Sequence, residues 1–345
     1  MRTPDHWYRP PGGLARALMP LARLYGAAAR LKTRIVMPQR ASLPVVCIGN
    51  ITAGGTGKTP VAIAIAHRLA ALGERPAFLT RGYGGRITGP VLVDRDRARA
   101  VDVGDEPLLL ARHFPTIVSA DRPKGADMAA HAGATVVVMD DGYQNPSLVK
   151  DAGLLVVDAG AGLGNGLLIP AGPLREPAGE ALDRAAALIV MGDGHAADGL
   201  VTDARRRGLG VVHGRVVPTG DGAEWRGKRV LAYAGIGRPE KFFETLDGLG
   251  ADIRETQMFA DHHAFSDDEA AGLLARARDG ALALVTTEKD LARLAGAGHS
   301  GALAELRSHS RALPVEVRFD DGHALDQLLK SRLNAATTAG AYKAF

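Results

Sequence analysis

The chain has 345 residues, 46% of them apolar and 23% charged, and carries a net charge of +4. That length exceeds one ordinary core and fits two domains, and the composition excludes a disordered chain. A single cysteine, Cys47, excludes an internal disulfide and a cysteine-rich metal site, and suits a reducing cytoplasm.

The charge is unevenly placed. Between Asp5 and Glu74 there is no acidic residue, whereas nine Lys or Arg occur. An anionic surface is therefore expected to face this end. No uncharged apolar run reaches the roughly 20 residues needed to cross a bilayer, and the opening MRTPDHWYRPPGG lacks the apolar core of a cleavable signal. The following segment, GGLARALMPLARLYGAAARLKTR, reads as an amphipathic helix. At 3.6 residues per turn Leu14, Leu18, Leu21, Tyr25 and Ala28 form one stripe, with Arg16, Arg23 and Arg30 opposite. Pro20 removes one backbone donor and is expected to bend the helix. Two readings stand side by side: the leucines pack on the protein's own core, or the helix lies on a membrane surface beside Trp7 and Tyr8. The basic region is leucine-rich rather than studded with aromatics and matches no recognition motif, so nucleic acid is not an expected partner.

From Pro44 onward short β-branched runs alternate with helical segments, the pattern of a parallel sheet covered on both faces. PVVCIG, PAFLT, TIVSA, ATVVVMDDG, GLLVVDA and AALIVMG read as strands, and PVAIAIAHRLAALG, DEPLLLARH and PKGADMAAHAG as helices. The alternation breaks at VVPTGDGAEWRGK and resumes through LPVEVRF. The expected organisation is a helical region at 1–40, a phosphate-loop kinase core at 41–215, a linker at 216–228 and a smaller α/β domain at 229–335. A cleft between two such domains is a usual place for a ligand.

The stretch IGNITAGGTGKTPV holds the chemistry. The pattern G-x-x-x-x-G-K-[ST] after a strand and before a helix is matched by Gly57, Lys58 and Thr59, but Thr52 stands at the first glycine position. What the loop requires is inward-pointing amides, and Gly54 and Gly55 supply the permissive backbone. Residues Thr52, Ala53, Gly54, Gly55, Thr56, Gly57, Lys58 and Thr59 are thus the expected nucleotide cradle. Lys58 is expected on the β- and γ-phosphates and the Thr59 hydroxyl on Mg²⁺. Asp140 and Asp141, leaving an apolar strand, are the expected carboxylates for that ion. TTEKD at Thr286–Asp290 lacks the spacing of a guanine-reading N/T-K-x-D motif, so ATP is the expected nucleotide. For activating an acceptor hydroxyl the candidates are Asp105, which reads equally as a helix cap, and His262 or His263 in FADHHAFSDDE. A soluble small-molecule kinase and a nucleotide-driven partner switch remain open on these residues alone.

GNITAGGTGKTP, RGYGG, GDEP, DDGYQ, GNGLLIPAGPLREP, GIGRPEKFF, FADHH and TEKD occur in an order that resembles the tetraacyldisaccharide 4′-kinases, also called lipid A 4′-kinases. The resemblance spans about residue 7 to about residue 330. It implies transfer of the ATP γ-phosphate to the 4′-hydroxyl of a tetraacylated glucosamine disaccharide 1-phosphate, giving the bis-phosphorylated lipid A precursor. It also implies a monotopic enzyme on the cytoplasmic face of the inner membrane, whose partners are the glycolipid and that surface. By the same resemblance Asp105 and His262 correspond to the catalytic pair, Asp140 and Asp141 to the paired Walker B-type aspartates, Arg175 to an arginine near the γ-phosphate, and Glu176 to an acidic residue at the magnesium site. Arg122 and Lys124 are further candidates for gripping the 1-phosphate of the acceptor.

Overall fold

The five residues Val45–Gly49 (β1) are buried without exception and present no polar face, so the strand is stable only with both sides covered. The computed structural model, which describes residues 4–54, 57–295 and 300–338, places it near the middle of a nine-stranded sheet. The other strands in chain order are β2 (Pro76–Thr80), β3 (Val91–Leu92), β4 (Thr116–Val118), β5 (Val136–Asp140), β6 (Ala152–Asp158), β7 (Ala187–Met191), β8 (Gly210–Pro218), β9 (Arg229–Ala234), β10 (Asp252–Met258), β11 (Ala283–Thr287), β12 (Ser310–Leu313) and β13 (Val315–Phe319). The large sheet runs β13-β8-β7-β6-β1-β5-β2-β4-β3, parallel except for its two outermost pairings. A second, wholly parallel sheet runs β10-β9-β11-β12. This is the expected fold class: a phosphate-loop parallel sheet between helices, a smaller α/β unit and an N-terminal amphipathic helix.

Both faces of the large sheet are sealed. On one, Ile65 and Leu69 of the helix Lys58–Ala71 pack with Leu325, Leu329 and Leu333 of the helix Gly322–Thr338 against Val46, Ile48 and Val138. On the other, Ala126 and Ala129 with Leu200, Val201 and Ala204 cover Cys47, Met139 and Leu155. The apolar strand runs that dominate the sequence are thus explained by two-sided burial.

The domain limits differ from the expected ones. The strand β8 extends through Pro218, into the stretch expected as a linker, and β13 returns to pair with it antiparallel, Val317 opposite Val216. The C-terminal helix follows β13 onto the first core. The smaller unit is therefore an insertion after β8, not a C-terminal appendage. LPVEVRF reads as a strand in either place, and local pattern cannot say which sheet a strand joins.

The helix Gly13–Ile35 runs unbroken through Pro20 and rests on the protein by small residues, Ala15, Ala22 and Gly26. At Gly26 a β-carbon would stand 2.7 Å from Leu168 Cδ1, so any larger residue would have to push that side chain aside. The leucines face away: Leu21, Leu24 and Ile35 are 56%, 71% and 68% exposed. Of the two readings of this helix, packing on the core falls to the alanine and glycine stripe, and the leucine stripe is left open.

Candidate active site

At β1 the strand order reverses, with β5 on one side and β6 on the other. A crevice opens at the carboxyl ends of parallel strands at such a switch point, where ligands bind in open α/β sheets. The phosphate loop leaves β1 there. Gly54 and Gly57 hold φ of 116° and 77°, in the region that favours glycine, and Gly57 directly precedes the helix beginning at Lys58. Gly55 and Thr56 lie outside the described residues. Thr52 is buried, and its carbonyl accepts a 2.7 Å bond from Asn50 Nδ2, so this residue braces the loop from within.

A short antiparallel contact carries two distant residues to the loop. Thr52 bridges Leu174, the Ala53 amide donates to Pro173 at 2.8 Å, and the Arg175 amide donates to Ile51 at 2.7 Å. Arg175 and Glu176 are thereby held beside β5. The Arg175 guanidinium reaches Asp141 Oδ1 at 3.0 Å. Glu176 accepts from Gln144 Nε2 at 2.9 Å and pairs with Arg184 at 2.5 Å.

The paired aspartates divide the work. Asp140, the last residue of β5, accepts from the Thr59 hydroxyl at 3.0 Å through Oδ2, while its Oδ1 is buried with no partner. Burial, with Glu106 and Asp141 close by, pushes this carboxyl up to about 7. Asp141 turns through a left-handed φ of 52°, which brings its side chain back toward the same loop to meet Lys58 Nζ at 3.0 Å. Burial would raise its pKa, but Lys58 and Arg175 outweigh that and lower it. Lys58 also donates to Asn50 Oδ1 at 3.0 Å.

A divalent cation fits the Asp140 corner on this chemistry. A buried carboxylate oxygen without a hydrogen-bond partner, beside a hydroxyl, leaves a place for a cation, and hard oxygen donors suit Mg²⁺. Among the described residues no three or more His, Cys, Asp or Glu side chains are gathered for a metal ion, and Asp141 and Glu176 each pair with a cationic side chain. That agrees with an ion shared with nucleotide phosphates, which keeps few protein ligands.

The second cluster spans both sheets. Asp105 begins the short helix Asp105–Leu110 in the first unit; His262 lies in the loop after β10, and Arg293 on the helix Glu288–Ala295 after β11. Asp105 Oδ2 meets His262 Nδ1 at 3.2 Å and Arg293 at 2.7 Å, and Oδ1 accepts the Glu106 amide at 3.0 Å. Burial would raise the Asp105 carboxyl, but the His262 bond, the Lys289 charge and Arg293 hold it well below the ordinary carboxylate range. Lys289 Nζ stands 3.2 Å from His262 Nε2. An ammonium only donates, so Nε2 is the bare nitrogen and Nδ1–H points at Asp105. Lys289 also lies 3.4 Å from Glu106, whose charge reaches Asp140, so the two clusters adjoin.

The remaining candidates go elsewhere. His263 turns to Glu269 at 2.9 Å and stacks on Phe259 with ring centroids 4.9 Å apart, which makes it part of the cap of the helix Asp267–Asp279. Arg122 is buried and donates to the Ser119 carbonyl, and the exposed Lys124 pairs with Asp121 at 3.3 Å. A buried Arg122 is no open grip for an acceptor phosphate. Sequence reasoning passed over Asn50, Gln144, Lys289 and Arg293. The first two flank quoted motifs, and Arg293 follows the Asp of TEKD by three residues, one helical turn on.

The profile of the family described as tetraacyldisaccharide-1-P 4′-kinase matches residues 14–334. A tetraacyldisaccharide 4′-kinase of Parvibaculum lavamentivorans is 52% identical over 325 residues, covering 93% of this chain and 95% of that protein. One of Rhodopseudomonas palustris is 46% identical over 339 residues, covering 98% of each. The crystal structure of LpxK from Aquifex aeolicus in complex with ATP shares the fold, with a TM-score of 0.71 at 24% identity, covering 93% of this chain and 99% of that one.

Proposed function

The chain belongs to the tetraacyldisaccharide-1-P 4′-kinase family, and from that premise we propose how its own residues carry the reaction. It is an ATP-dependent kinase of lipid A biosynthesis that phosphorylates the 4′-hydroxyl of a tetraacyldisaccharide 1-phosphate. The observation that carries the residue assignment is the adjacency of the Lys58–Asp140–Asp141 corner to an Asp105–His262 pair brought in from the other sheet.

Amides of the loop 52–59 cradle the triphosphate, and Lys58 leaves Asp141 for the β- and γ-phosphates. Thr59 and Asp140, with Asp141 and Glu176, would hold Mg²⁺, which would supply positive charge against the phosphates when bound. Arg175, within reach of the same corner, offsets charge developing on the transferred group. Asp105 orients the 4′-hydroxyl and takes its proton late, as suits a loose, metaphosphate-like transition state that asks little of a base. A carboxylate held strongly ionised is ready for that orienting task at any pH near neutrality. His262 fixes the carboxylate through its Nδ1–H.

The acceptor is a lipid, and the open leucine stripe of Gly13–Ile35, on a helix that also exposes Arg16 and Arg23, supports contact with an anionic membrane surface; the cytoplasmic side is the one where ATP is available. No helix among the described residues is long and apolar enough to cross a membrane. The deciding experiment follows labelled phosphate from ATP to the glycolipid in detergent micelles, with and without Mg²⁺. Magnesium-dependent label in the glycolipid is expected; release of free phosphate alone would mark a nucleotide switch, and label only in a soluble acceptor would mark a small-molecule kinase.

A further inference from the structure

We propose that Arg293, anchored by the buried Asp290, is a positioning residue that sets the orientation of Asp105 from the opposite sheet. The inference rests on the reading of Asp105 as the residue that handles the acceptor hydroxyl, and it assigns a task to Gly235 of GIGR and to Asp290 of TEKD, which the site otherwise leaves without one.

The chain of contacts is continuous and enclosed. Asp290 is fully buried, and its Oδ2 accepts from the Gly235 amide at 3.0 Å and the Thr287 hydroxyl at 2.7 Å. Its Oδ1 takes Arg293 Nη1 at 2.6 Å, and the same Nη1 reaches the Gly235 carbonyl at 3.3 Å. The other arm of the guanidinium, Nη2, donates to Asp105 Oδ2 at 2.7 Å. One planar fork thus joins two carboxylates, with one arm directed at each. At Gly235 a β-carbon would lie 3.2 Å from both Arg293 Nη1 and Asp290 Oδ1, so the glycine leaves room for the fork.

A buried guanidinium is costly unless paired, and Asp290 alone would pair it. The second arm is therefore free to do something for Asp105. His262 is one-third exposed and stands in a loop at a left-handed φ of 59°. Arg293 is buried on a helix, which makes it the stiffer of the two partners of Oδ2. With Oδ2 held by Arg293 and His262 and Oδ1 by the Glu106 amide, the plane of the carboxylate is fixed. Of the charged and titratable groups facing Asp105, His262, Lys289 and Arg293 come from the smaller unit, with Asp261 and Asp290 behind them, while Glu106 adjoins it on its own helix.

The test uses the full chain in the micelle assay with Arg293→Met and Arg293→Lys, measuring kcat, both KM values and the pH dependence of kcat, beside Asp105→Asn and the double variant Asp105→Asn with Arg293→Met. Expected for Arg293→Met is a fall in kcat of about 10- to 100-fold, the scale for partners that orient a reacting group. Both KM values stay within about threefold, the acid limb of the profile moves to higher pH, and added guanidinium ion restores part of the loss. Arg293→Lys keeps the charge but not the fork, so it loses kcat with a smaller shift of the acid limb. In the double variant the loss is no greater than for Asp105→Asn alone. Wild-type kcat in Arg293→Met, or a loss confined to melting temperature and KM with the acid limb unmoved, overturns the inference. If Arg293→Met does not fold, Arg293→Lys decides by the same readouts. Retained turnover in Asp105→Asn would instead remove the underlying reading of Asp105.

Discussion

Lys58 and Asp141 form an ion pair, Nζ to Oδ1 3.0 Å, across the mouth of the phosphate loop. The pair keeps the lysine extended over the place where phosphates enter, and Asn50 holds the same Nζ from the strand side. A phosphate exchanges one anion for another at Lys58 and requires no large movement of the side chain.

From this follows a charge requirement at Lys58. Lys58→Met retains the shape of the stem and loses the cation, so turnover should fall by about 10²–10³-fold, the usual cost of one preorganised charge at a transition state. Labelled phosphate transfer to the glycolipid measures it. A fall of less than about tenfold would show that Arg175 and the loop amides suffice without the lysine.

Asp140 presents the opposite case, a function that costs stability. Its folded pKa, about 7, lies above the ordinary carboxylate value, so the folded state binds this proton more tightly than the unfolded chain. The cost of the buried charge is absent below about pH 4 and grows as pH rises toward 7, at roughly 1.4 kcal/mol per unit. Asp140→Asn removes the charge and keeps an oxygen for Thr59. Without Mg²⁺ this variant should melt several degrees above the parent at pH 8, about 2–4 °C per kcal/mol for a unit of ~200 residues, with little difference at pH 4.5. It should also be almost inactive. Equal melting temperatures at pH 8 would contradict the strain assigned to Asp140.

Much of this site is legible from residue order alone. The loop and the two aspartates lie in segments whose local pattern announces a turn after an apolar strand, whereas the Asp105–His262 pair follows only from the resemblance, and the structure brings them into two adjoining clusters. What local pattern lacks is pairing over long distance. Arg293 meets Asp105 across 188 positions, Arg175 reaches Asp141 across 34, and β13 crosses back to β8 past the whole smaller unit. None of these has a period or a spacing. The helix Gly13–Ile35 shows a different limit: its leucine stripe is correctly amphipathic, yet the residues that dock it are alanines and a glycine, which periodic hydrophobicity underweights.

Gly104 ties the RGYGG turn to Asp105. Its φ is 91°, and a β-carbon there would stand 2.5 Å from the Tyr83 carbonyl. Tyr83 in turn lies edge-on to the His262 ring, centroids 5.8 Å apart. Gly104→Ala must therefore separate the turn from the start of the Asp105 helix. A loss of about 1–3 kcal/mol in urea unfolding is expected from the backbone alone. A displacement of even ~1 Å at Asp105 should lower kcat by up to about 10²-fold with ATP affinity kept. Unfolding and turnover both near the parent values would show that the two segments move independently.

Membrane contact is best tested on side chains that touch nothing else in the protein. Truncating residues 1–32 would also uncover Leu168, against which Gly26 packs, and the segment 163–175 that carries Arg175, so any loss of activity would be ambiguous. Leu21 and Leu24 are well exposed on the open stripe, and glutamate at both positions leaves the Ala15–Ala22–Gly26 contact intact. Burying one leucine in an apolar phase is worth about 1.5–3 kcal/mol, so losing two should weaken partition onto vesicles by on the order of 10²-fold or more. Melting temperature should stay unchanged. For the parent chain, raising salt should weaken binding to anionic vesicles, because Arg16 and Arg23 are exposed on the same helix and their attraction is screened within about 10 Å at 0.1 M. Sedimentation with vesicles of mixed anionic and zwitterionic lipid reads both effects. If the double glutamate variant sediments like the parent, the surface that meets the lipid lies elsewhere on the molecule.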